Sequence, residues 1–289
     1  MWGLVATLYC IGFFQRMAPA VIADDLMRDF SLDGVMLGNL SAMYFYAYAA
    51  MQIPTGLLVD QIGARRLASI ACLIAALGIL VFSFSSSLWL AYLGRFLVGA
   101  SVAVAWVTCM KLAGHWFPAN RFATVTGVAL LLGNIGGITA GVPLAVGVDL
   151  FGWRMMMGVS GFLTLVLAIV TWLALRDDPS EYGYRSHAPM VVQNHGSLPM
   201  GAALKSVVTR KDTWLLFFGG GLSTAPVLVF AGLWGVPYLT QVYHLETSQA
   251  ALITSTMLMS LAVSGPINGA ISDRLGRRKL PYLISTVLT

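Results

Sequence analysis

The chain has 289 residues, of which 58% are hydrophobic and 10% are charged, and its mean hydropathy is +0.79. A soluble domain is roughly half apolar and about a quarter charged, so this composition excludes a soluble enzyme. The net charge is +5, but the charges lie between the apolar runs. That placement is typical of basic loops in a membrane protein and argues against a nucleic-acid partner.

Apolar runs long enough to cross a bilayer, about 20 residues each, occur along the whole chain. The sequence predicts an all-α membrane protein with helices at residues 2–22, 35–58, 67–86, 88–111, 122–147, 153–175, 213–240 and 248–271, and a ninth that begins near Leu280. The polar segment 176–212 has no apolar periodicity, which predicts a linker. It would separate a six-helix bundle, residues 1–175, from a second transmembrane unit, residues 213–289.

The basic residues predict the orientation of these helices. Thirteen Lys and Arg residues fall on the side of the linker, whereas Arg28, Arg95 and Arg154 fall on the other side. Because cytoplasmic loops carry the excess of Lys and Arg, we expect the N-terminus and the linker in the cytoplasm and the protein in the cell membrane. The three cysteines lie in apolar runs without C-x-x-C spacing, so neither a disulfide, a metal site nor a cofactor is predicted.

A segment after the second predicted helix recurs after the eighth, at an offset of 269 − 56 = 213 residues. The glycine, aspartate and basic positions are Gly56, Asp60, Gly63, Arg65 and Arg66 in the first copy, and Gly269, Asp273, Gly276, Arg277 and Arg278 in the second. Glycine permits a tight turn, and aspartate can cap a nearby helix end. A generic basic hairpin is the alternative, but two copies at matching places argue against it.

The repeated segment resembles the loop between helices two and three of the major facilitator superfamily, which has a G-x-x-x-D-x-x-G-[RK]-[RK] pattern. Ala64 departs from that pattern, because the family usually has a basic residue there. Arg95 and Gly99 match the family's R-x-x-x-G pattern in helix four, and 152–154 matches its G-W-R before helix six.

The resemblance implies a twelve-helix major facilitator fold in which two six-helix bundles rock around a central substrate site. It also implies gating and stability roles for the loop residues, Asp60, Arg65 and Arg66 among them. The chain would contain the six-helix N-terminal bundle and the first two to three helices of the C-terminal bundle. We therefore expect a C-terminally truncated chain that does not transport alone.

Arg16 is the most informative candidate for a substrate contact, because an arginine near the centre of a membrane helix costs about 2.5–3.5 kcal/mol on insertion scales. Such a residue usually faces a wet cavity or a partner. The surrounding residues 14–19 also resemble the first helix of the anion:cation symporter and organophosphate transporter branches, which implies contact with an anionic group. The alternative is that Arg16 extends toward Asp24 and Asp25 at the membrane surface.

Further candidates lie on neighbouring helix faces. The spacing of Tyr44, Tyr48 and Gln52 puts them on one face of the second helix, where they line either a cavity or a helix contact. The remaining candidates are Tyr9, Asn134 and Trp234, and the last could instead anchor the helix in the aromatic belt.

No acidic residue lies in the middle of a predicted span, so the visible half of the cavity is net positive. We therefore predict a secondary transporter that moves a small organic anion, a carboxylate or phosphate ester, as a monomer in the lipid bilayer. A transporter-like sensor of an external solute, and a dipeptide or other small-solute carrier, are the alternatives. An enzyme is disfavoured because the spans contain no pairing of nucleophile and base. The sequence does not choose between symport and antiport.

Overall fold

The computed structural model describes residues 1–187, 200–230, 235–245, 247–276 and 279–288. These ranges contain thirteen α-helices and no strand: α1 Trp2–Val21, α2 Ala23–Phe30, α3 Gly34–Ile62, α4 Ala64–Ser83, α5 Leu88–Trp116, α6 Phe122–Thr139, α7 Val142–Phe151, α8 Trp153–Ala174, α9 Met200–Val208, α10 Lys211–Val229, α11 Gly235–Tyr243, α12 Thr247–Leu275 and α13 Lys279–Leu288. The predicted all-α class is confirmed, and most predicted helices begin and end within a few residues of the observed ones.

The described helices differ from the predicted pattern in four places. The helix predicted over 213–240 is described as α10 and α11, and residues 231–234 between them lie outside the described residues. The helix predicted over 122–147 is two helices, α6 and α7, because Pro143 has no N–H to donate to the carbonyl of Thr139, the last residue of α6, and its ring clashes with that carbonyl in a continuous helix. The amphipathic helix α2 was not predicted, since its eight residues are too few for an apolar run. The segment predicted as a linker contains α9 at its end.

Polar caps and glycines set several helix ends. The carboxylate of Asp33 accepts a hydrogen bond from the Met36 N–H at 2.7 Å and begins α3. Gly63, at φ +85° and ψ 160°, separates α3 from α4, in a backbone region that essentially only glycine adopts. Gly152, at φ +80°, makes the corresponding turn between α7 and α8.

The helices pack around α4 and α5. Helix α4 lies against α5 and α8, while α5 also contacts α3 and α1. Helix α1 also packs against α6, and α6 packs against α12. Five described segments are long and apolar enough to cross a membrane: Trp2–Val21, Ala64–Ser83, Leu88–Trp116, Ala119–Phe151 and Trp153–Ala174.

Candidate functional site

Arg16 lies in α1 inside a group of aromatic rings. Its guanidinium carbon is 5.1 Å from the ring centroid of Phe45, 5.3 Å from those of Phe13 and Tyr48, and 5.8 Å from that of Tyr44. Within the described ranges this guanidinium has no carboxylate partner and no hydrogen bond. Ring faces attract a cation but do not neutralise it, so the positive charge remains available to an anion.

Two aspartates of α2 contact residues other than Arg16. Asp25 forms an ion pair with Arg28 within α2. Asp29 accepts a hydrogen bond from the Trp153 indole at 2.9 Å and lies 3.3 Å from Arg154. Neither Asp24 nor Asp25 is an ion-pair partner of Arg16 in the described structure.

The Tyr44 ring lies close to two arginines. It is stacked on Tyr48 at 6.1 Å, and the guanidinium carbons of Arg16 and Arg95 lie 5.8 and 5.0 Å from its centroid. The sequence placed Arg95 among the basic residues at the outer surface, but the side chain is only 1% exposed within α5, where it donates to the Gln15 carbonyl at 2.8 Å. This correction has a packing cause: the aromatic and backbone partners that cover Arg95 come from α3 and α1, which sequence position cannot reveal.

A buried polar cluster lies next to this aromatic group. The Gln15 amide donates to Thr164 Oγ1 at 3.0 Å, which joins α1 to α8. In the described structure three buried atoms of the cluster have no hydrogen-bond partner: Gln15 Oε1, the Tyr44 hydroxyl and Arg95 Nε. Unpaired buried polar atoms are costly, and they commonly mark a functional site. Sequence reasoning missed Gln15, although a glutamine next to an arginine within a membrane helix was a signal for it.

The remaining residues predicted to contact a substrate do not all lie beside Arg16. Tyr9 is 7% exposed and packs against the ring of Phe13, at 4.9 Å between centroids. Gln52 lies on α3, two turns after Tyr44. Asn134 donates to the Leu130 carbonyl of its own helix at 2.8 Å, so its amide is committed locally. Trp234 lies outside the described residues.

Glycines allow the helices that carry these side chains to approach closely. A Cβ at Gly99 would collide with the backbone carbonyl of Tyr44, which accounts for glycine at this position of α5. On α6, a Cβ at Gly133 would collide with the Tyr9 ring, and a Cβ at Gly136 would collide with the Cys10 carbonyl. The close contact of α1 with α6 therefore uses Gly136, whereas a Cβ at Gly137 would meet only ordinary contacts.

The first copy of the repeated segment joins three helix ends. Asp60 accepts from the Lys111 ammonium at 2.9 Å, and that ammonium also donates to the Val59 carbonyl. Arg65 donates through Nε and Nη2 to the Trp172 carbonyl, at 3.1 and 2.8 Å. Its backbone N–H donates to Asp177 at 2.6 Å, so a carboxylate beyond α8 caps α4. Arg66 is exposed, and Gly56 has open space around its Cα.

The second copy contacts α6. Asp273 accepts from the Thr124 N–H and from its hydroxyl, both at 2.7 Å, and from the Ala123 N–H at 3.3 Å. A Cβ at Gly269 would collide with the Ala123 carbonyl, while Gly276 has φ +60° and open space. Arg277 and Arg278 lie outside the described residues.

The Asp178 carboxylate, at the start of the predicted linker, is bound by several neighbouring groups. Asp178 accepts from the Ser186 hydroxyl at 2.7 Å and lies 3.1 Å from His115 Nδ1. Desolvation raises the pKa of this carboxyl, but hydrogen bonds from Ser180, Ser186 and His115 outweigh it and lower the pKa from 3.8 to about 2. Among the described residues, no group of three or more His, Cys, Asp or Glu side chains could hold a metal ion.

Comparison with known proteins gives consistent matches. The chain is 25% identical to the probable sulfoacetate transporter SauU of Cupriavidus necator, over 96% of this chain and 65% of that protein. It is 26% identical to a probable hexose phosphate transport protein of Chlamydia trachomatis, over 94% of this chain and 63% of the relative, and 25% identical to the membrane sensor protein UhpC of Salmonella typhimurium, over 94% and 62%. The chain thus spans less than two thirds of the length of these relatives.

A solved structure and a family model agree on the fold. The inward-facing, unoccupied bacterial homolog of the human lysosomal transporter Spinster superposes with a TM-score of 0.60 at 19% identity, covering 94% of this chain and 59% of that one. The model of the Major Facilitator Superfamily matches residues 5–289. The chain belongs to the Major Facilitator Superfamily, as the repeated segment predicted.

Proposed function

We propose that the protein of which this chain is the sequence is a secondary transporter for a small organic anion, a carboxylate, sulfonate or phosphate ester. Movement is by alternating access between a six-helix bundle, residues 1–175, and a second unit that begins at residue 213, joined by a linker at 176–212. The N-terminus and the linker are cytoplasmic in this proposal. The two copies of the repeated segment act at the cytoplasmic surface and contribute to gating.

The observation that carries the proposal is the Arg16 guanidinium, which is surrounded by Phe13, Tyr44, Phe45 and Tyr48 and has no acidic partner in the described structure. An arginine inside a membrane protein is costly unless water or an anion solvates it. Because guanidinium binds carboxylate, sulfonate and phosphate oxygens in a bidentate way, an anionic solute suits this position. Tyr9 and Gln52 complete the proposed contacts on α1 and α3, and Trp234 and Asn134 stay predicted contacts.

The names of the relatives support the anionic class. They include probable transporters of sulfoacetate, hexose phosphate and galactarate or D-glucarate, all of which are anions. Their shared chemistry is one or two negatively charged groups on a small polar molecule. A single arginine on α1 could bind any of them, so the aromatic and polar neighbours would set the choice.

Binding to the purified chain tests the assignment of Arg16. We expect sulfoacetate or glucose 6-phosphate, but not glucose, to raise the midpoint of thermal unfolding, because a ligand bound only to folded protein stabilises it. Arg16→Gln should weaken this binding by about 10-fold or more, the value of a charge-assisted hydrogen bond, and Arg16→Lys by less. Arg28→Gln is the matched control, since Arg28 is exposed and paired with Asp25. Equal stabilisation of the Arg16→Gln variant by the anions would show that Arg16 is not the contact.

A sensor is the second candidate, because UhpC, a relative over 94% of this chain, is a membrane sensor protein. The flux of ligand across a membrane distinguishes a transporter from a sensor. A transporter equilibrates radiolabelled ligand across proteoliposomes made with the full-length protein, whereas a sensor binds the same ligand without releasing it inside.

A further inference from the structure

An apolar groove of about 290 Å³ lies between α4 and α8, away from the aromatic group around Arg16. Its walls are side chains that remain substantially exposed: Ile70, Leu73, Ile169, Trp172 and Leu173. Along α8 it runs from Leu165 to Leu173, which is about 12 Å at 1.5 Å per residue. One leaflet of the hydrocarbon core is about 15 Å thick, so the groove has the length of a single leaflet.

Arginines surround one end of this groove. The Arg65 guanidinium lies 5.4 Å from the ring centroid of Trp172 and donates to the carbonyl of the same residue. Arg66 lies one turn before Ile70 on the same face of α4, is exposed, and has no protein partner within the described ranges. Arg176 follows α8 and donates to the Leu173 and Leu175 carbonyls at 3.2 and 2.9 Å.

The carboxylates near this end are already engaged. Asp177 accepts the Arg65 backbone N–H, and Glu181 accepts the N–H groups of Asp177 and Asp178 through Oε1. Glu181 Oε2 is 3.8 Å from Arg176 Nε, so it neutralises that arginine in part. Asp178 accepts from the Ser186 hydroxyl and lies beside His115. Arg66 has no hydrogen bond or ion pair within the described ranges, so its positive charge is not neutralised there.

We propose that this groove binds an anionic phospholipid, with an acyl chain between α4 and α8 and the headgroup phosphate at Arg65 and Arg66. The apolar walls match an acyl chain, and the Arg66 guanidinium, which no carboxylate pairs within the described ranges, matches an anionic headgroup. The acyl chain of a zwitterionic lipid would fill the groove equally well, but the arginines would attract its headgroup less strongly. A basic residue at the membrane surface favours an anionic lipid by about fivefold.

Tryptophan quenching by brominated lipid measures this binding, because bromine on an acyl chain quenches a tryptophan that it touches. The chain is reconstituted in phosphatidylcholine vesicles with increasing fractions of brominated phosphatidylglycerol or of brominated phosphatidylcholine. Subtracting the signal of Trp172→Phe isolates Trp172, and the backbone carbonyl that Arg65 contacts is kept in this variant. We expect half-maximal quenching of Trp172 at about a fivefold lower fraction of the anionic lipid.

Arginine variants and a second tryptophan make the test specific. Arg66→Gln should reduce the preference and Arg65→Gln/Arg66→Gln should abolish it, while Arg121→Gln, at an exposed arginine between α5 and α6, should leave it intact. Trp89, which is 81% exposed at the start of α5, should be quenched equally by the two lipids. Equal quenching of Trp172 by both lipids overturns the proposal. So does a preference that Arg66→Gln leaves undiminished, or one of the same size at Trp89. Because Arg66 has no hydrogen bond or ion pair in the described structure, its variant remains informative if the double variant does not fold.

Discussion

The two copies of the repeated segment have the same residue types but contact different parts of the molecule. Asp60, at the end of α3, has a side chain that is 72% exposed and pairs with Lys111 on the neighbouring α5. Asp273, at the end of α12, caps the start of α6 through Ala123 and Thr124. The pattern therefore specifies a helix end and a turn, whereas the helix that lies alongside decides what the aspartate binds.

The largest expected difference between the copies is at their first glycines. We expect Gly269→Ala to lower the free energy of unfolding by about 3 kcal/mol, because the added Cβ would collide with the Ala123 carbonyl and separate α12 from α6. Gly56→Ala is the matched control: nothing lies within 4 Å, so the better helix former should stabilise α3 by up to about 1 kcal/mol. Thermal unfolding of both variants in detergent measures this, and equal midpoints would contradict the observed α6–α12 contact.

A smaller difference is expected at the turn glycines, both of which have positive φ. Gly63→Ala should cost about 2 kcal/mol of unfolding free energy, since φ +85° with ψ 160° disfavours any side chain and a Cβ would also displace the Asp177 carboxylate. Gly276→Ala, at φ +60° with open space, should cost about 1 kcal/mol. The same unfolding measurement applies. If the second substitution is the more harmful, the capping of α4 by Asp177 does not stabilise the protein as its geometry suggests.

The smallest effects are expected at the aspartates. Asp273→Ala removes acceptors from the first turn of α6 and should cost about 1 kcal/mol of unfolding free energy, the usual value of a helix cap. Asp60→Ala removes an exposed ion pair and should cost less than about 0.5 kcal/mol, because Lys111 keeps the Val59 carbonyl. Raising the salt concentration should diminish the Asp60 effect and leave most of the Asp273 effect. A salt-sensitive loss at Asp273 would indicate a long-range charge effect instead of a cap.

The sequence predicted the helices well where an apolar run and a local signal agreed. The start of α8 after Gly152 and the turn at Gly63 follow from residue types alone, because glycine permits positive φ. The break between α6 and α7 was missed, although Pro143 was a local signal for it. Helix α2 was missed because its stability comes from Leu26, fully buried against other helices, and not from a long apolar run.

For the candidate site, the sequence named some of the residues that the structure brings together, but not their arrangement. Arg16, Tyr44 and Tyr48 were named from their positions in helices, and they do lie together around one guanidinium. Arg95 was misplaced and Gln15 was missed, since both are covered by residues from distant parts of the chain: 80 residues separate Arg95 from the carbonyl it contacts.

Composition and the apolar runs by themselves determined that this is a helical membrane protein, because crossing a bilayer imposes the length and apolarity of each helix. The repeated segment added the resemblance to the Major Facilitator Superfamily, to which the chain belongs. Only the tertiary structure decided that Tyr44 lies close to two arginines, that Asp177 caps α4, and that an apolar groove ends near Arg65 and Arg66. These features depend on which helices pack together, and that choice is set by side-chain fit between residues far apart in the chain.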